Sequence, residues 1–98
     1  MKIINFATYV DDQATVTRLR PVHRQYMDQL EAADTLVAGG PFRDGSGALF
    51  IYETPSLADA EQIVAADPYS QGGAFARCVL EEWQIVKATP GLLTVTGQ

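Results

Sequence analysis

The sequence holds a single histidine, and three of its seven cationic side chains crowd around it: Arg18, Arg20 and Arg24 flank His23. Imidazole titrates near neutrality without help, so His23 is a candidate general acid/base. Its other reading is a half-buried histidine hydrogen-bonded where a helix meets a sheet. Asp67 stands directly before Pro68, and a residue ahead of proline is pushed out of the α region. A helix running up to Asp67 therefore ends there, at a terminus that disfavours a carboxylate by about 0.3–1 kcal/mol. A residue set against its local electrostatics has a partner or a task, unless Asp-Pro is plain solvated turn chemistry. Joined to His23, Asp67 would fix one imidazole nitrogen as donor and raise the basicity of the other. Arg20, three residues before His23, is placed to clamp a carboxylate or phenolate, or is simply solvated. Tyr69 lines a pocket beside Asp67 or packs. Gly39-Gly40-Pro41 lets a ligand approach the backbone or merely terminates a strand.

The remaining chemistry is sparse. Ser46 lies in a glycine-flanked turn without the context of a nucleophile elbow, and Cys78 reads as a small buried hydrophobe. Phe50 and Trp83 read as core or interface. No phosphate-binding loop or dinucleotide fingerprint is present. One Cys and one His exclude a disulfide framework and a multi-ligand zinc site, so neither metal nor cofactor is expected. Twelve acids against seven bases give a net charge of −5, which argues against nucleic acid or anionic membrane as partner. The charge is unevenly spread, because residues 13–30 hold three arginines and one aspartate. No apolar run is long enough to span a membrane, and the N-terminus lacks a signal-peptide core, so a cytoplasmic protein is expected.

These side chains need a scaffold, and 98 residues make one domain. Lys2–Val10 reads as a strand with Ile4, Phe6 and Val10 on one face and Ile3, Ala7 and Tyr9 on the other. An irregular turn over 15–19 leads to a helix with Pro21 at its first position. The helix stripe is Leu19, Val22, Tyr26, Leu30 and Ala33, with His23 and Met27 along it, so His23 falls near the first turn. Leu36–Gly40 is a second strand ended by Gly39, Gly40 and Pro41, Arg43–Gly47 a turn, and Ala48–Glu53 a third strand. Ser56 and Asp59 open a second helix with a capping-box-like start. Tyr69–Gly73 reads as a loop and Arg77–Val86 as the fourth strand. The order βαββαβ is the ferredoxin-like α+β arrangement, two helices on one face of an antiparallel sheet. The third strand is apolar on both sides, and a short chain buries little surface alone, so a second subunit is expected on the open sheet face. The domain is placed at residues 1–87. The tail 88–98 supplies either an edge strand in that homodimer or a frayed end.

Three stretches together resemble the YciI-like family of small bacterial proteins. They are Arg20-Pro21-x-His23, Leu36-Val37-Ala38-Gly39-Gly40-Pro41, and Ala66-Asp67-Pro68-Tyr69 with Gly73 following. The resemblance implies a ferredoxin-like protomer in a dimeric α+β barrel akin to muconolactone isomerase, with a pocket where His23 and Asp67 meet. It also implies lyase-type chemistry of the kind linked to chlorinated hydroxyquinols. Two positions depart from the family pattern. Ala33-Asp34-Thr35 replaces a glycine-bearing exit from the first helix, and Glu82 precedes Trp83 where proline is usual. The expectation is a cofactor-independent lyase or isomerase acting on a small anionic cyclic or enolic compound. His23 and Asp67 would be catalytic, and Arg20, Pro41 and Tyr69 would bind substrate. The competing expectation is a non-catalytic module binding a small ligand or a partner protein, with the dyad purely structural.

Overall fold

The computed structural model describes residues 1–97. Four strands, β1 (Lys2–Tyr9), β2 (Leu36–Pro41), β3 (Gly47–Glu53) and β4 (Phe75–Trp83), form one antiparallel sheet in the order β2-β3-β1-β4. Helices α1 (Gln13–Ala32), α2 (Leu57–Ala66) and the single turn α3 (Pro68–Gln71) complete the order. This is the expected α+β, ferredoxin-like arrangement.

Strand pleating decides what each face buries. Ile3, Asn5 and Ala7 of β1 and Ala48, Phe50 and Tyr52 of β3 are buried, and Ala60 and Val64 of α2 are buried with them. Alternate residues turn the other way, and Phe6 on that opposite face is 51% exposed. Antiparallel register puts Ile4 against Ile51 and Phe6 against both Leu49 and Val79. The opposite face therefore carries apolar side chains at its centre as well, as the third strand suggested, with Glu81 set against Ile4. One polar pair lies within the core: the Asn5 side-chain amide donates to the Tyr52 hydroxyl at 3.3 Å.

Several local expectations need correction. α1 does not begin at Pro21. It starts at Gln13 because Asp12 caps it, accepting from the Ala14 amide at 3.1 Å and from the Thr15 hydroxyl at 2.9 Å. Capping satisfies one of the orphan amides of the first turn, and Pro21 is carried inside the helix on an exposed face. His23 accordingly sits mid-helix rather than near the first turn. The buried stripe is Val16 and His23, flanked by Leu19, Met27 and Leu30, while Val22 is 44% exposed. The second strand runs one residue further than expected, through Pro41, with Gly39, Gly40 and Pro41 pairing with Phe50, Leu49 and Ala48. Pro41 is tolerated there because β2 is an edge strand. β4 begins and ends earlier than 77–86, and residues 84–97 form neither helix nor strand.

The exit from α1 explains one departure from the family pattern. Asp34 adopts φ 57, the left-handed conformation usually supplied by glycine after a helix. The Thr35 amide reaches back to the Leu30 carbonyl at 2.8 Å, so the turn is kept with aspartate in place of glycine. At α2 the expected start is present. Ser56 accepts from the Asp59 amide and donates to the Asp59 carboxylate at 2.8 Å.

Candidate functional site

α1 presents His23 toward the sheet at the middle of its buried stripe, leaving the residue 7% exposed. Asp67 arrives from the junction of α2 and α3. Its backbone is extended, with φ −62 and ψ 130, as the following proline demands. The expected conflict with the end of α2 is resolved by an element the sequence reading took for loop: Asp67 also caps α3, and Pro68 takes the first helical position. One carboxylate oxygen, Oδ1, accepts from the Tyr69 amide at 2.9 Å. The same Oδ1 lies 2.8 Å from His23 Nδ1. Against an ionised carboxylate, which only accepts, Nδ1 is the donor, and in the neutral ring of that tautomer Nε2 keeps its lone pair. Asp67 is 1% exposed, and its second oxygen, Oδ2, has no protein partner. Burying a carboxylate so sparsely bonded is costly and gives His23 a strong reason to stay beside it.

The imidazole ring is held by aromatic neighbours as well. Tyr69 stacks on it with centroids 3.9 Å apart and planes 9° from parallel, and Phe50 meets it edge-on at 5.7 Å. Tyr69 is packed against Val16 and Ala74 in its own buried cluster. Tyr69 therefore both packs and lines the cavity beside His23, joining the two readings offered by sequence.

That cavity, about 220 Å³, lies between α1 and the β2–β3 edge of the sheet. α1 contributes His23, Arg20 and Arg24, and β2 contributes Gly39, Gly40 and Pro41. Phe50 lines it too, so the reading of Phe50 as core or interface alone is incomplete. Gly39 is what lets Phe50 lie so close to β2: a Cβ there would stand 2.7 Å from Phe50 Cδ1. His23, Asp67 and Tyr69 are thus in direct contact, and Arg20 and Pro41 line the same cavity. Asp67 is not part of the lining and reaches the cavity through His23.

Sequence reading missed Tyr9, which also lines the cavity and meets Tyr69 edge-on at 5.7 Å. Burial raises the Tyr9 phenol above its ordinary value, Tyr69 adds to the shift, and Arg20 opposes it. At neutral pH Tyr9 is therefore a proton-bearing hydrogen-bond donor. Its signal was its place in the alternation with Ile3 and Ala7, the pair that faces the helices. The arrangement offers an oriented base, nearby cations and a neutral phenol donor around one small hollow. Cys78 is half-buried, and desolvation raises its thiol, in keeping with a packing role. Among the described residues no group of three His, Cys, Asp or Glu side chains is placed to hold a metal ion, and no helix is long and apolar enough to cross a membrane.

Comparison with known proteins agrees with this fold. A Bacillus subtilis (strain 168) protein, YjpA, is 34% identical over 65 residues, covering 66% of this chain and 75% of YjpA. Among solved structures, the 5-chloro-2-hydroxyhydroquinone dehydrochlorinase TftG of Burkholderia phenoliruptrix AC1100, in complex with 2,5-dihydroxybenzoquinone, superposes with a TM-score of 0.76. That match covers 86% of this chain and 94% of TftG at 23% identity, a likeness of fold. The YCII-related domain matches residues 1–84, which span every strand and helix described above and both halves of the His23–Asp67 pair, and the chain belongs to that family.

Proposed function

We propose that this protein is a cofactor-independent lyase or isomerase acting on a small anionic cyclic or enolic compound, such as a hydroxylated aromatic or a lactone. The observation that supports it best is the buried Asp67 carboxylate bonded to His23 Nδ1, with the imidazole lining a small cavity. His23 Nε2 takes a proton from a carbon or hydroxyl of the substrate. Asp67 stabilises the imidazolium that forms, a role that needs its negative charge buried beside the ring. Electron density from the broken bond moves onto a ring oxygen as an enolate or phenolate, and Arg20 faces that oxygen. In an isomerisation His23 returns the proton elsewhere on the same molecule, and in an elimination an anionic leaving group departs. The dehydrochlorinase activity named for TftG belongs to this reaction class and supports the reading. Pro41 and Tyr69 bound the substrate on two sides.

The working unit in this reading is a homodimer closed over the open sheet face, where Phe6 and Trp83 are 51% and 43% exposed. The exposed Leu92, Leu93 and Val95 are then available to that dimer as an edge strand.

A panel of hydroxylated hydroquinones, halogenated hydroxyquinols and unsaturated lactones tests the chemistry. Turnover by the wild-type chain, falling by about 100-fold or more in His23→Asn, is the expected result. Full turnover in His23→Asn removes the histidine from the reaction. Binding across the panel without turnover makes the protein a ligand-binding module.

A further inference from the structure

The cavity is lined by opposite charges at its two ends. Arg20 and Arg24 line it toward the start of α1, and Asp28 and Glu31 line it toward the end. From Arg20 to Glu31 the helix rises about 16 Å at 1.5 Å per residue. Between these ends the lining is apolar, with Met27, Leu36 and Phe50. Among the described residues the ion pairs are those of the N-terminus, Lys2 and His23, and none of these four charges takes part in one.

This order of charges runs against the stability of α1. Acids favour the start of a helix and bases its end, because the macrodipole is positive at the start and negative at the end. α1 has no acid in its first turn and no base in its last, where Glu31 stands. Arg24 and Asp28 are spaced to meet across one turn, but in the cation-first order that stabilises a helix less. At Glu31, in the last turn, the macrodipole adds to the acid, while at mid-helix the positive sign comes from Arg20 and Arg24. These charges produce one field along the cavity, positive near His23 and negative near Glu31.

We propose that the ligand of this cavity is two-ended. It places an anionic oxygen near His23, Arg20 and Arg24, lays a flat or cyclic body over Phe50 and Met27, and directs a hydrogen-bond donor, hydroxyl or ammonium, toward Asp28 and Glu31. A second carboxylate at the far end is rejected. The inference rests on the anion-binding end of the proposed function and adds the far end, making Asp28 and Glu31 specificity-determining residues.

Three para-substituted probes on one ring test it: benzoate, 4-(aminomethyl)benzoate and terephthalate. Binding to the full-length chain is followed through the His23 imidazole resonances by NMR at low ionic strength. The expected result is 4-(aminomethyl)benzoate binding about tenfold more tightly than terephthalate, with the gap shrinking as salt screens the far end. In D28N/E31Q the two probes bind within about twofold of each other. Equal affinities in the wild type, or a gap that survives in D28N/E31Q, overturn the proposal. Benzoate that moves the His23 resonances while the para substituent has no effect removes only the far end. Benzoate that leaves His23 unmoved at millimolar concentration removes the anionic end, and with it both this inference and the proposed function.

Discussion

His23 Nδ1 lies 2.8 Å from Asp67 Oδ1, across 44 residues of sequence. The bond joins the middle of α1 to the junction of α2 and α3, so it exists only when both helices dock on one face of the sheet. The same Oδ1 accepts the Tyr69 amide at 2.9 Å, and Tyr69 in turn stacks on the imidazole. Asp67 therefore caps the short helix whose aromatic residue covers the histidine that Asp67 orients. Capping and orienting share one oxygen, yet they depend on different properties of the side chain. The cap needs an acceptor; the imidazolium needs a negative charge.

That difference separates two substitutions. Asp67→Asn keeps an acceptor for the Tyr69 amide, and asparagine caps helices as well as aspartate. Asp67→Ala loses the cap and the bond to His23 together, a cost of about 2–3 kcal/mol. Urea unfolding is expected to place Asp67→Ala well below wild type, with Asp67→Asn between them. Imidazole ¹⁵N shifts are expected to show the Nδ1–H tautomer in the wild type and a mixture of tautomers in Asp67→Asn. Both variants should lose turnover if the charge stabilises the imidazolium.

The fold was legible because β1 alternates and β3 is a short apolar run bounded by turn residues, and the helix positions follow from apolar stripes. Where the reading slipped, a local signal was outweighed by one further off. Pro21 looked like the start of a helix, but Asp12 and Thr15 had already closed the first turn upstream. Asp67 looked misplaced at the end of α2 because a helix of one turn leaves no periodic trace. Of the site, His23, Asp67, Arg20, Pro41 and Tyr69 were legible by residue type together with family resemblance. Phe50, Tyr9 and the acidic end of the cavity were not. The acidic end depends on the phase of α1 against β2 and β3, and the expected stripe ran through Val22, which is 44% exposed, where the buried side is marked by Val16 and His23.

Gly39 and Gly40 are neighbours with opposite tolerance. A Cβ on Gly39 would stand 2.7 Å from the Phe50 ring, while one on Gly40 meets nothing within 4 Å. Phe50 is 3% exposed and touches His23 edge-on, so it cannot yield without disturbing the site. Gly39→Ala is expected to cost about 1–3 kcal/mol through overpacking and to weaken ligand binding. Gly40→Ala should fold with nearly wild-type stability. Thermal unfolding of the two variants side by side checks the contrast.

Tyr52 ties alkaline stability to the core. Burial raises its phenol well above the ordinary value of 10.0, although the Asn5 hydrogen bond pulls the other way. In the unfolded chain Tyr52 ionises near pH 10, while the folded protein holds it protonated. The unfolded state then binds fewer protons, so stability is complete below that pH and falls as pH rises above it. Tyr52→Phe is expected to cost about 1–2 kcal/mol at neutral pH, because the buried Asn5 amide loses its acceptor. Above pH 10 the same variant should lose stability less steeply than wild type. Urea midpoints measured across that range give the two slopes.

Phe6 stands on the sheet face proposed to pair with a second copy. It is 51% exposed on an apolar face, packs against Phe42 at a centroid distance of 5.2 Å, and opposes Leu49 and Val79 on the flanking strands. A symmetric dimer on this face buries Phe6 of both copies, and each such side chain contributes about 1.5–3 kcal/mol when removed from water. Phe6→Glu removes that burial twice and sets two carboxylates in an apolar interface, enough to weaken association by more than about 100-fold. The wild-type chain is expected to sediment as a dimer of its 10.6 kDa protomer at micromolar concentration, and Phe6→Glu as a monomer. Val22→Glu is the control, since Val22 is also exposed, at 44%, but projects from α1 on the helical side. The single tryptophan, Trp83, is 43% exposed near the end of the same sheet. Its emission should shift to the red on dilution of the wild type and be red-shifted throughout in Phe6→Glu. A wild-type chain that sediments as a monomer at that concentration would leave the open face without its proposed partner.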